Sequence, residues 1–238
     1  MSEQKTVINT GNEEVDAALG KAKDFWDRFS KIIIYVSCAI ILVVGGWWVY
    51  KNYVVLPKQD SANDALFQAE SLFDKMTQQG FNKDSINIVL NGGTGVTSGV
   101  VKIINNYGST PAGNRAKLIA GACYLHLKEY DKAIKYLNDF STTDADQVQA
   151  TVYSLLGDAY SEQNKSDDAL SFYKKAASVN EKDDFISGEA LYKAGRYAES
   201  IGKKDDAIET YKKLRDNYPK SAHAAEMDKY LARLGVLN

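Results

Sequence analysis

Three stretches of the chain repeat one spacing of small and bulky residues: GACYLHLKEYDKAIKYL (residues 121–137), GDAYSEQNKSDDALSFY (157–173) and GRYAESIGKKDDAIETY (195–211). Each opens on a glycine. Each then carries an alanine at the same offset (Ala133, Ala169, Ala207) and a bulky residue one helical turn later (Leu137, Tyr173, Tyr211). Tyr124 and Tyr160 share a position that Ala198 takes in the third stretch. Self-similarity at such a period means stacked units, each too small to bury its own apolar face. The pattern predicts a helical hairpin per stretch. Glycine and alanine let the two helices cross closely, and tyrosine fills the space between layers while keeping a polar tip. Polar turns separate the helices, with acids or a serine near the second helix start that are expected to cap it and complement its dipole.

The spacing resembles the tetratricopeptide repeat, whose unit is roughly 34 residues, and Pro219 closes the third stretch as that pattern implies. The flanks extend the array. Residues 60–79 read as an amphipathic helix with Ala65, Leu66, Ala69, Leu72, Phe73 and Met76 on one side. Residues 86–90 are apolar, NGGTGVTSG (91–99) is a glycine-rich loop, and VVKIINNYGSTP (100–111) follows. This is a degenerate opening repeat interrupted by a loop. Residues 221–234 read as a last helix covering the array with Ala224, Ala225, Tyr230, Leu231 and Leu234.

Ahead of the array, residues 32–50 (IIIYVSCAIILVVGGWWVY) carry no charge. As a helix they span about 28 Å at ~1.5 Å per residue, against a bilayer core of about 30 Å. Trp47, Trp48 and Tyr50 fall where an interfacial aromatic belt belongs, with Trp26 on the other flank. Lys31 and Lys51 bracket the run and can snorkel to headgroups. The run reads as an uncleaved signal anchor. Lys21, Lys23, Arg28 and Lys31 precede it and Lys51 and Lys58 follow, a bias that places the amino terminus in the cytoplasm and the array outside it. Val15, Leu19, Ala22, Trp26 and Phe29 form an apolar stripe on a helix leading into the span, and residues 1–12 read as a loose tail.

The expected architecture is therefore all-α, with a single amino-terminal transmembrane helix followed by a tetratricopeptide-repeat α-solenoid. The divisions are a cytoplasmic tail and amphipathic helix (1–31), the anchor (32–55), a membrane-proximal helix and degenerate repeat (56–111), three repeats (112–220) and a capping helix (221–238).

Chemistry is sparsely represented. The formal charge of −2 lacks the basic excess of a nucleic-acid binder. Two cysteines and two histidines are too few for most metal clusters. The loop at 91–99 lacks the Gly-Lys-Ser/Thr ending of a phosphate loop and follows no apolar strand. No nucleophile–base set emerges, so the reading is non-enzymatic, without cofactor, metal or small-molecule substrate. In such an array the first helices line an inner groove. The expected exposed positions are Leu118, Ala122 and Leu125, then Ser154, Asp158 and Ser161, then Tyr192, Arg196 and Glu199. The apolar run Leu118–Ala122–Leu125 is the leading partner surface, with packing against the preceding degenerate repeat as the alternative; Tyr192 and Arg196 complete the set.

The whole plan resembles the YfgM-like ancillary subunits of the bacterial Sec translocon. The resemblance rests on the span at 32–50, the helix at 61–79, and Gly121, Tyr124, Ala133, Gly157, Tyr160, Ala169 and Ala207. Residues 107–137 also resemble anchored tetratricopeptide proteins of Bacteroidetes-type bacteria. The resemblance implies an inner-membrane protein with a periplasmic domain, partnered with SecYEG and a PpiD-like chaperone and serving proteins that leave the channel. A scaffold for another envelope assembly or secretion machine is the alternative.

Overall fold

The computed structural model describes residues 7–236. The chain divides into two compact units, Met1–Pro57 and Lys58–Asn238.

The first unit is dominated by one helix, α1 (Val7–Tyr50), prolonged by a π-helical turn (Lys51–Val55). Nothing interrupts it because no proline occurs before Pro57 and the apolar run satisfies its backbone internally. The stripe leading into the span and the span itself are thus one continuous helix. The expected loose tail is helical from Val7 onward, while residues 1–6 lie outside the described residues. The helical stretch Ile34–Gln79 contains an 18-residue window of mean hydropathy 1.6, none of it buried. By length and composition it can cross a membrane. Trp26, Trp47, Trp48 and Tyr50 all lie exposed on the helix surface.

In the second unit the remaining helices are α2 (Leu56–Gln79), α3 (Lys83–Asn91), α4 (Val100–Tyr107), α5 (Pro111–His126), α6 (Tyr130–Asn138), α7 (Asp146–Glu162), α8 (Ser166–Ala177), α9 (Asp184–Ser200), α10 (Lys204–Asn217) and α11 (Met227–Arg233). Among the described residues there is no β-strand, only an isolated bridge between Gly93 and Val96. The fold is the expected array of helical hairpins: α5 with α6, α7 with α8, α9 with α10.

The opening segment packs as a core of its own. Leu66, Ala69 and Met76 of α2 meet Ile86, Val89 and Leu90 of α3, Val100 and Ile103 of α4, and Ala116, Ile119 and Ala120 of α5. The glycine-rich loop is a structural clasp on this core. Val96 is buried in it, the Thr97 N–H donates to Gln68 Oε1 at 2.8 Å, and Gly92 and Gly95 take positive φ.

The repeats close by one recurring turn. Lys128, Asn164 and Gly202 occupy the same place, each with positive φ (62°, 57° and 75°). The Lys128 N–H bonds Leu125 O and the Glu129 N–H bonds Tyr124 O; the same pair of bonds recurs at Asn164–Lys165 and Gly202–Lys203. This Schellman arrangement satisfies carbonyls that the first helix would leave orphaned. It also corrects one expectation: the residues at the second-helix starts, Glu129, Lys165 and Lys203, make no side-chain capping bonds. Acids two or three positions on reach across to the neighbouring hairpin instead. Asp131 accepts from Gln163 Nε2 at 2.7 Å, Asp167 pairs with Lys203, and Asp206 pairs with Lys174.

Inside each hairpin the glycine and the bulky residue meet. A Cβ placed on Gly121 would lie 2.5 Å from Leu137 Cγ, and one on Gly157 would lie 2.5 Å from Tyr173 Cε1; Gly195 faces Tyr211 in the same way. Ala133, Ala169 and Ala207 are fully buried. The carboxyl-terminal cap is shorter than expected. Residues after Tyr218 turn back through Ser221, which is buried against Gly188, and form a 3-10 turn (Ala224–Glu226) before α11. Met227 and Leu231 anchor that cap, whereas Ala225 is exposed.

Candidate protein-binding groove

Stacking the hairpins side by side leaves the first helices α7 and α9 flanking a groove of about 610 Å³. Its floor and one wall come from Ala150, Ser154, Leu155 and Asp158 of α7. Phe185, Ile186, Glu189, Tyr192, Lys193 and Arg196 of α9 supply the other. The helical repeat puts Ala150, Ser154 and Asp158 on one face of α7, and Phe185, Glu189, Tyr192 and Arg196 on one face of α9. Small residues on α7 leave the space that the larger side chains of α9 border. Phe185 is 60% exposed, an unusual place for so large an apolar ring.

The charges of the groove are mostly paired within it. Asp158 Oδ1 accepts from the Tyr173 hydroxyl at 2.7 Å, and its Oδ2 accepts from Lys193 Nζ at 2.8 Å. The Lys193 ammonium also sits 5.2 Å from the Tyr173 ring centroid. Burial, reinforced by the Asp158 carboxylate, holds the Tyr173 hydroxyl far above the usual tyrosine range. At the carboxyl-terminal end, the Tyr192 and Tyr230 hydroxyls lie 2.9 Å apart and Arg196 NH1 donates to Tyr192 at 3.0 Å. The bond to Tyr230 and the adjacent guanidinium lower the Tyr192 pKa. His223 stacks on Tyr192 with ring centroids 3.8 Å apart, and its Nε2 is 2.9 Å from Glu189 Oε1. Tyr192 is therefore fixed from three sides, and with it the position of Arg196.

The leading apolar run of the first repeat is not an open groove. Ala122 is only 6% exposed. Leu118 packs against Leu137, Val152 and Leu156, and Leu125 packs against the opening core. The reason is stacking: α7 lies against α5, so the second repeat covers the face that the first repeat offers. Leu125 retains one open edge, on a smaller depression of about 350 Å³ shared with Asp158 and Ser161. Ser154, Asp158, Tyr192 and Arg196 lie on the groove walls. Glu199 instead accepts from the Tyr211 hydroxyl and from Arg233 NH2. Sequence reading missed Phe185, which stands beside the Asp183 cap and carries no repeat mark. It also missed the Glu189–His223 pair, whose partners lie far apart in sequence.

Other candidates resolve structurally. Cys123 is buried among the helices of the opening core, and burial pushes its thiol up to about 12. His126 stacks on Phe81 at 3.7 Å. Asp183 caps α9 by accepting from the Phe185 and Ile186 N–H groups. Among the described residues no group of His, Cys, Asp and Glu is arranged to hold a metal ion.

The hairpin geometry has a counterpart in known sequences. Residues 115–182 and residues 189–221 each match a family described as tetratricopeptide repeat. These hairpins are tetratricopeptide repeats. The chain is also 35% identical over 97 residues to the TPR repeat-containing protein MJ0263 of Methanocaldococcus jannaschii. That match covers 40% of this chain and 30% of the relative. Tetratricopeptide repeats are protein-interaction scaffolds, and the groove between α7 and α9 lies across the matched segments.

Proposed function

We propose that this protein is a membrane-anchored, non-enzymatic scaffold whose repeat groove holds a segment of a partner protein outside the cytoplasm. The observation that carries the reading is the conjunction of a long unburied apolar helix with a groove whose walls are already tied by their own hydrogen bonds, Lys193 to Asp158 and Arg196 to Tyr192. A preformed concave surface binds an extended segment without the entropic cost of reorganising itself. Tethering host and partner to one bilayer raises their effective concentration, so modest groove affinity suffices.

In its specific form the reading is an ancillary subunit of the SecYEG translocon in the inner membrane, amino terminus cytoplasmic and repeats periplasmic. It engages a PpiD-like chaperone and assists proteins leaving the channel. The support is the order of parts along the chain and the basic bias before the span.

Photo-crosslinkable residues at Ser154 and Phe185 in intact cells test it. Adducts containing the chaperone, with SecY recovered in mild detergent, are the expected result. Adducts with outer-membrane assembly or secretion subunits would replace the translocon assignment while keeping the scaffold. Protection of residues 58–238 from external protease in spheroplasts would reverse the topology.

A further inference from the structure

Resting on that reading of the groove, we infer the chemistry of its occupant: an extended partner segment carrying an apolar side chain and a carboxylate on the same face, four or six residues apart. The charges of the groove carry the argument. Asp158 and Lys193 neutralise each other at 2.8 Å, so the middle of the groove has no net demand for charge. Glu189 is engaged with His223 at 2.9 Å. Arg196 differs. Its guanidinium is exposed, donates to the Tyr192 hydroxyl at 3.0 Å, and stands about 6 Å over the Tyr192 and Tyr230 rings. Among the described residues no carboxylate pairs with it. A planar guanidinium held against aromatic faces, with donors left over, is suited to receive a carboxylate by two parallel bonds.

The apolar end lies at the other extremity. Phe185 is exposed at the groove mouth beside Ile186 and opposite Ala150. Phe185 and Arg196 are eleven residues apart on α9, which brings them back to one face. That separation is about 16 Å along the helix at ~1.5 Å per residue. An extended peptide advances about 3.3 Å per residue, so four residues span about 13 Å and six about 20 Å, and the reach of the arginine and acid side chains takes up the difference. Side chains of an extended chain alternate faces, so a segment whose apolar side chain docks on Phe185 presents to Arg196 a side chain an even number of positions away, four or six. Between the two, the Asp158–Lys193 pair and Ser154 face a peptide backbone with donors and acceptors of both kinds. A basic segment meets Arg196 with like charge, and a helical partner would place a four- or six-residue offset at about 6–9 Å, well short of the span required.

The test is display selection of random peptides on the full chain reconstituted in nanodiscs. Wild-type protein is expected to enrich peptides with an apolar residue and Asp or Glu four or six positions apart, in one direction along the sequence. A synthetic enriched peptide should lose about three- to tenfold in affinity when its acid becomes the amide. In Arg196→Gln that difference should vanish while apolar binding persists, and Arg196→Glu should select Lys or Arg at the same position. Unchanged circular dichroism and melting temperature certify each variant's fold. Enriched peptides that depend on Phe185 but show the same charge preference with Arg196 and with Arg196→Glu would overturn this inference and leave the groove reading standing. Enrichment that is indifferent to Phe185→Ser and to Arg196→Glu, or no enrichment at all, would overturn both.

Discussion

The ring of Tyr173 lies so close to Gly157 that the first carbon of any side chain there would come within 2.5 Å of it. Repacking cannot relieve this cheaply, because Tyr173 is buried and its hydroxyl is held by Asp158 at 2.7 Å. Position 157 therefore excludes even alanine. On sequence alone Gly157→Ala would be expected to be much milder than Gly157→Leu; the contact shows that the smaller change also meets the Tyr173 ring. Gly157→Ala should cost about 1–3 kcal/mol through overpacking, measured by urea unfolding. In a Tyr173→Ala background the same change should cost markedly less, since the double substitution frees the crossing. Additive effects of the two substitutions would show that the pair does not define the crossing.

Leu118 provides the second prediction. It packs against Leu137, Val152 and Leu156 between the first two repeats. Leu118→Glu would place a carboxylate in that contact, so the loss should appear as stability, about 2–4 kcal/mol, before any partner is added. A melting temperature equal to wild type, with partner binding reduced, would return Leu118 to an open surface.

The recurring turn yields a stabilising change. Lys128 holds φ at 62°, a conformation that glycine takes without the Cβ penalty and that Gly202 already fills in the third repeat. Lys128→Gly should stabilise the array by about 0.5–1 kcal/mol, the relief of left-handed strain exceeding the added freedom of the unfolded chain. Gly202→Ala should destabilise by about 1 kcal/mol. Urea midpoints moving in opposite directions for the two variants are the expected signature.

The interlayer tyrosines predict an alkaline limit. Burial raises the pKa of Tyr173, with Asp158 adding to it, and burial raises that of Tyr211, with Glu199 adding to it. A folded-state pKa above the unfolded value of about 10 means the native chain keeps protons that the unfolded chain releases. Their contribution is complete below pH 10 and is lost as pH rises from there toward the folded values. Melting temperature should fall steadily above pH 10, and Tyr173→Phe with Tyr211→Phe should flatten the decline. An unaltered slope in the double variant would assign the alkaline loss to other groups.

Much of this architecture was legible in the residues themselves. The glycine, alanine and bulky marks at 121, 133 and 137 and their counterparts determined the hairpins, because steric exclusion at a helix crossing acts on residue size, which a sequence states directly. The uncharged run at 32–50 determined a helix long enough to cross a bilayer, since backbone polar groups in an apolar run must be satisfied internally. What the sequence could not decide was which apolar face stays open. Leu118 and Phe185 are both large apolar residues on first helices, yet α7 packs against the first while the second stays exposed. Charge availability was settled the same way. Asp158 and Arg196 hold the same place in successive repeats, but Lys193 and Tyr173 reach Asp158 across a helix pair, while among the described residues Arg196 meets the Tyr192 hydroxyl and the rings of Tyr192 and Tyr230. Pairings between residues distant in sequence depend on how far each hairpin rotates on the last, a quantity summed over many weak contacts and written in no single residue.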